Sequence, residues 1–191
     1  MTNKQGSLGD RFAEISVILI TLIALTIGWF YKSSVENAAI AFEAEGIRAD
    51  VPKGWLQAGA TDDEILRTVD INSSGFGATY VVRQIAITSE ATTSEVASAV
   101  TLDHAQNLVA FRMLDQQEVT DINGRNAYMI SYVFVESNSD VTHEEIPSVV
   151  RGSDFIYLNG DRAIVVSFQA DQNNYDLDLG RFYLFLESLN F

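Results

Sequence analysis

The sequence predicts an α+β protein: an antiparallel sheet of about six or seven strands flanked by helices, with one N-terminal transmembrane helix. Three observations carry this expectation. Seventeen uncharged residues run from Ile15 to Tyr31. Runs rich in β-branched and aromatic residues recur between Glu64 and Asp171, punctuated by Gly-containing turns. Two longer segments, 93–115 and 175–189, space their apolar residues as amphipathic helices do.

Composition sets the outer limits. The chain has 191 residues, 47% of them apolar, which is enough to bury a core and excludes a disordered chain. There is no cysteine. Disulfides, thiolate metal sites, cysteine nucleophiles and cysteine-linked lipids are therefore excluded. Residues 33–191 carry nine basic and 24 acidic groups, a net charge of −15. A field of that sign repels phosphate backbones and excludes nucleic acid as a partner.

The apolar run can be read in three ways. A core helix needs a polar face, and here only Ser16, Thr21 and Thr26 interrupt the apolar surface. A cleaved signal needs a shorter apolar run and a nearby small-x-small site, and Ala39 and Ala41 lie well past Tyr31. A spanning helix needs about 17–25 residues, which the run satisfies. The domain plan is then a tail over 1–14, a transmembrane helix over 15–32, a stalk over 33–46 and an extracytoplasmic domain over 47–191. Trp29 and Tyr31 form an interfacial aromatic end, with Lys32 at headgroup depth. Lys4 and Arg11 before the helix against Lys32 after it favour a cytoplasmic N-terminus in the inner (cytoplasmic) membrane. Ala24 and Gly28 make a small-xxx-small pair, with Thr21 on nearly the same face, where another helix could approach closely.

The alanines and glutamates of "SSVENAAIAFEAEG" suit a helical or partly ordered stalk ended by Gly46. "VPKGW" is a turn, with Trp55 as a core anchor. Segments 64–71 and 78–88 are strands around the turn "NSSGFG", with Phe76 folded back onto the sheet. The helix over 93–115 starts at a Thr93 or Ser94 cap, carries Val96, Val100, Leu108 and Phe111 inward, and is open to interruption at Thr101–Leu102. Residues 117–137 form a hairpin about Asn123-Gly124, whose second strand has no strongly polar face and so belongs inside the sheet. Residues 147–171 form another hairpin, turning at Asn159-Gly160-Asp161. Tyr175, Leu179, Phe182, Leu186 and Leu189 then mark a closing helix, with Gly180 an unfavourable residue inside it.

In this order, "VPKGW", "FRMLD", "EVTDINGRNAYMISYVF" and "FIYLNGDRAIVVSFQAD" followed by an aromatic helix resemble the PsbP-like α-β-α sandwich over about residues 47–191. That resemblance implies a small non-catalytic domain seated on a membrane complex. The membrane helix in place of a transit peptide, and the missing lysine-rich surface, depart from the plant-type pattern and do not carry over a photosystem II role.

Chemistry is sparse. His104 reads as a partly buried helix residue between Val100 and Leu108. Asp140, His143 and Glu144 in "DVTHEEIP" are the candidate ligands for a divalent cation, against the simpler reading of a solvated acidic loop. "DQNNYDLDLG" lacks the ligands of a calcium loop at its fifth, sixth and twelfth positions. No nucleophile motif, phosphate loop, zinc-protease motif or haem motif occurs. The expectation is a non-enzyme without a cofactor: an accessory subunit of a photosynthetic or respiratory membrane complex. Its partners would be integral membrane subunits and a basic soluble electron carrier drawn to the acidic surface. The alternative is a free-standing anchored domain that binds a small ligand or peptide in a cleft beside the sheet.

Overall fold

The computed structural model describes residues 8–36, 38–58, 63–73, 75–136, 139–140, 143–144 and 147–191. The chain divides into two units, Met1–Ala38 and Ala39–Phe191. Among the described residues, the first contains one helix, α1, Leu8–Glu36. Within it Glu14–Ser34 has a mean hydropathy of 1.9 and no buried part, and is long and apolar enough to cross a membrane. Ser16, Thr21 and Thr26 donate their hydroxyls to the carbonyls of Phe12, Val17 and Leu22 at 2.8, 2.9 and 2.8 Å. Each polar group is thus satisfied inside the helix, as an apolar surrounding requires. The helix is longer than the expected 15–32 and takes in part of the expected tail and stalk.

The stalk itself needs correction. Residues 39–46 are not helical: β1, Ala39–Ala44, pairs antiparallel with β2, Ile47–Pro52. Glu45 and Gly46 both have positive φ, 51° and 82°, which is the turn geometry that matches strand twist in a two-residue hairpin. Gly46 therefore reverses a hairpin instead of ending a helix. The folded unit begins at Ala39, eight residues before the expected start. Phe42 packs against the domain core, and the alternate residues Ile47, Ala49 and Val51 are buried in it.

Seven strands form one antiparallel sheet: β3 (Leu56–Gln57), β4 (Glu64–Val69), β5 (Thr79–Ala86), β6 (Arg112–Thr120), β7 (Asn126–Glu136), β10 (Ser148–Asn159) and β11 (Arg162–Asp171). Their order is β3-β4-β5-β11-β10-β7-β6. A separate two-residue pair, β8 (Ser139–Asp140) with β9 (His143–Glu144), lies between β7 and β10 in the chain. Asn159 faces Arg162 across the two-residue turn at Gly160, whose φ is +67°. β7 lies between β10 and β6, so it is inside the sheet as its sequence demands. The edge strand β6 is exposed over Arg112–Glu118, which its charges and its bulge between Met113 and Asp115 keep from templating another strand.

Two helices cover the faces. α2, Thr93–Asn107, buries Val96, Ala97 and Val100 against Ile130, Tyr132 and Val165. Its cap is Thr92 rather than Thr93 or Ser94. The Thr92 hydroxyl accepts from the Glu95 N–H at 3.3 Å, and the Glu95 carboxylate accepts from the Thr92 N–H at 2.7 Å. The helix runs unbroken through Thr101–Leu102 but stops eight residues short of the expected end, and "RMLD" opens β6 instead. α3, Tyr175–Ser188, buries Tyr175, Phe182, Phe185 and Leu186 on the opposite face against Tyr80, Phe155 and Phe168. Trp55 lies 4.6 Å from the Tyr80 ring and joins this core; Phe76 folds onto Phe134 at 6.1 Å.

The hairpin at Asn123-Gly124 is wider than a two-residue turn, because Thr120 pairs with Asn126 and residues 121–125 form the loop. Asp121 organises it, accepting from the N–H groups of Asn123 and Arg125 at 2.9 and 2.8 Å, from Arg125 Nε at 2.7 Å and from the Tyr157 hydroxyl at 3.0 Å. Arg125 then reaches α3, donating to the carbonyls of Leu189 and Leu186 at 2.9 and 3.3 Å. Asn123 donates to the Glu187 carbonyl at 3.0 Å. The last turn of α3 has no basic residue of its own, so the hairpin supplies the cation and donors that a helix C-terminus favours.

Candidate functional site

Two features outlast the accounting of the fold: an uncovered face on α1 and a cleft beside α2. On α1, Thr21, Ala24 and Gly28 share one side. No neighbouring atom lies within 4 Å of where a β-carbon on Gly28 would stand. The Thr21 hydroxyl is occupied by Val17, which leaves its methyl group for packing. Trp29, Tyr31 and Lys32 follow towards the C-terminal end, with Trp29 edge-on to Phe30 at 5.2 Å.

The cleft arises because α2 covers only part of its side of the sheet. Its volume is about 760 Å³, within the range of small-ligand sites. β4 and β5 send Arg67, Thr79 and Arg83 into it, β11 sends Ser167 and Gln169, and Phe76 and Phe134 close one side. Arg67 forks onto the Glu64 carboxylate through Nε at 3.0 Å and through Nη2, and this hydrogen bonding raises the guanidinium further above its ordinary value. Arg83 reaches Asp103 of α2 at 3.3 Å and Asp63 at 4.0 Å.

Beneath these groups lies a buried polar chain. Asp154 is fully buried in the middle of β10. Its carboxylate meets His104 Nε2 at 2.7 Å and accepts from the Tyr132 hydroxyl at 3.0 Å. Gln169 Nε2 donates to the same hydroxyl at 3.0 Å. An ionised Asp154 requires the imidazole proton on Nε2. Burial, then the nearby Asp154 charge, push the Tyr132 phenol well above its ordinary value, so it stays a donor. Gly152 makes room for this arrangement: a β-carbon there would stand 2.4 Å from the Tyr132 ring.

The sequence places His104 on a helix as a partly buried residue; the structure keeps it on α2 but buries it, against a carboxylate partner that the sequence reading missed. The available signal was the lone acid of "GSDFIY" inside an apolar strand, where an unpaired charge is prohibitive. The pairing of Arg67 and Arg83 in one cleft had no such signal, since each looks like an ordinary outward residue of a half-buried strand. The metal candidates Asp140, His143 and Glu144 have their backbone in β8 and β9, and their side chains lie outside the described residues. Among the described residues, no group of three or more His, Asp or Glu is placed to hold a metal ion.

No protein-family model and no curated protein matches the sequence. Among solved structures, the chain is similar to cyanobacterial PsbP (CyanoP) from Synechocystis sp. PCC 6803, at 15% identity and a TM-score of 0.56, over 81% of this chain and 92% of that one. A Bacteroides thetaiotaomicron protein is 8% identical with a TM-score of 0.51, over 80% of this chain and 48% of that one. The Ran-binding protein Mog1p of Saccharomyces cerevisiae is 11% identical with a TM-score of 0.49, over 80% and 96%. At these identities the likeness is one of fold. Residues 39–191 have the PsbP-like architecture, a seven-stranded antiparallel sheet between helices, and an apolar helix precedes them in the chain.

Proposed function

We propose that this chain is a non-enzymatic accessory subunit of a multi-subunit membrane complex, photosynthetic or respiratory. α1 would cross the inner (cytoplasmic) membrane once, with the N-terminus cytoplasmic and residues 39–191 outside. The observation that carries the reading is the apolar span Glu14–Ser34, none of it buried, which precedes in the chain a domain with its own hydrophobic cores. The Thr21, Ala24 and Gly28 face would pack on integral subunits, and the acidic domain would stabilise the assembly or dock a basic electron carrier. The fold likeness to CyanoP supports the photosynthetic branch. Native electrophoresis of membranes in mild detergent tests it. The full chain is expected in a band far larger than itself. Ala24→Leu with Gly28→Leu is expected to lower its share there about tenfold, the effect of about 1.4 kcal/mol of helix packing. Migration as a lone monomer before any mutation would sink the reading.

The cleft favours a second reading, an anchored domain that binds a small ligand or peptide. Its floor offers guanidinium, hydroxyl and amide groups beneath an aromatic wall. A ligand present at about 100 times its Kd is expected to stabilise the chain by about 2.7 kcal/mol. Arg83→Ala should abolish the resulting shift in melting temperature without removing the protein's own transition. A broad metabolite and peptide screen that yields no such shift argues against this reading.

A further inference from the structure

The outward face of α3 is uncovered in a way the fold does not explain. Asp176, Leu177, Gly180, Tyr183, Leu184 and Glu187 occupy that face, since their spacing follows the helical repeat. Leu177 is 81% exposed and Leu184 50%. Gly180 lies at the middle. No neighbouring atom approaches within 4 Å of the place a β-carbon would take, and its φ is not in the left-handed region. Neither close packing nor backbone conformation calls for glycine there, although glycine weakens a helix interior. The remaining use of a missing side chain is to let something outside the domain approach the helix backbone closely.

The charges say what that something is. Asp176, its side chain 88% exposed, stands at one end of the face beside Arg151 at 3.7 Å, and exposed Glu187 stands at the other. Eleven residues separate the two carboxylates, about 16 Å along the axis. A second copy of this acidic chain would bring like charges together. We propose that this face is the docking site of a partner protein's helix. That helix seats an apolar side chain over Gly180, between Leu177, Leu184 and Tyr183, and carries Lys or Arg about three turns apart to meet Asp176 and Glu187. The inference goes beyond membrane anchoring, but it rests on the reading that the domain works by contact with another protein.

The absence of cysteine allows a clean test with the full chain in its own membranes. A single Leu177→Cys or Leu184→Cys carries a photo-cross-linker, and Leu102→Cys on the outer face of α2 serves as the control. The expected result is one adduct from either α3 position and none from the control. Peptide mapping should place it on a helical segment with an apolar centre and flanking basic residues. Gly180→Leu should reduce the adduct at least about tenfold while raising the melting temperature by about 2–4 °C, because the bulk that blocks the partner also removes the helix-weakening residue. Cross-linking to a second copy, to lipid or to a segment without cations overturns the proposal. So does an equal yield from Leu102→Cys, no adduct at all, or an adduct indifferent to Gly180→Leu. Native electrophoresis of the same membranes separates the two ideas: a large complex without the adduct overturns only the α3 site, whereas a lone chain overturns the accessory role as well.

Discussion

Asp154→Ala is expected to destabilise residues 39–191 by about 3 kcal/mol, the cost of leaving two buried hydrogen-bonding groups without their shared partner. The carboxylate is inaccessible to solvent and holds both His104 and the Tyr132 hydroxyl. Its removal leaves the imidazole and the phenol short of an acceptor, with a void where the carboxylate was. His104→Ala is expected to cost a similar amount, because it leaves the carboxylate without its nearest donor. The double replacement His104→Ala with Asp154→Ala should cost less than the two single changes added together, since the groups fail as a unit. Urea midpoints for the three variants measure this. A cost below about 1 kcal/mol for Asp154→Ala would be that of an ordinary exposed pair and would contradict the buried arrangement.

Asp121→Asn is expected to cost about 3 kcal/mol at pH 7, because the residue joins the β6–β7 loop, Tyr157 and, through Arg125, the end of α3. Burial pushes its carboxyl up, but the Arg125 backbone and side chain together with the Tyr157 hydroxyl outweigh that and hold it below the ordinary carboxylate range. The sign of the pH effect follows. A carboxyl whose value is lowered on folding stabilises the native state above its unfolded value of about 3.9, and that contribution fades as pH falls towards the folded value. The stability difference between native protein and Asp121→Asn should therefore be constant from neutrality to about pH 5 and shrink below about pH 4. A difference that grows on acidification would remove the ion pair from the account. Arg125→Ala should produce a similar loss that also shrinks on acidification, because it removes side-chain contacts that hold Asp121 down, while also fraying the last turn of α3.

Much of the fold could be read in advance because most elements announce themselves locally. Gly160 fixes one hairpin, the spacing of Val96 and Val100 marks α2 although its cap falls at Thr92 and not at Thr93 or Ser94, and the recurrence of Tyr175, Phe182 and Leu186 marks α3. The errors fall where a local preference is overruled. Alanine and glutamate in 33–46 favour helix, yet the positive-φ pair Glu45-Gly46 and the burial of Phe42 draw residues 39–44 into a hairpin. "FRMLD" continues a helical spacing, but Leu108 is already extended, with φ −99° and ψ 131°, Ala110 follows with φ of +53°, and β6 pairs with β7. The cleft was the least legible feature. It depends on which residues of β4, β5 and β11 meet across strands far apart in sequence, and pairing of that kind leaves no periodic trace in any one segment.

The strand pairing at the centre of the sheet bears on how the protein comes into being. Thr79 lies against Gln169, and Ala86 against Arg162. β2, near the start of the domain, meets the end of α3, where Arg48 bridges to Asn190. Early segments thus have no complete core until late ones are synthesised, and closing such distant contacts is slow. The apolar helix emerges from the ribosome long before that moment. That helix is long and apolar enough to enter a bilayer while everything after it is still an open chain, so its exposure to a membrane and the domain's acquisition of shape are separate events in time.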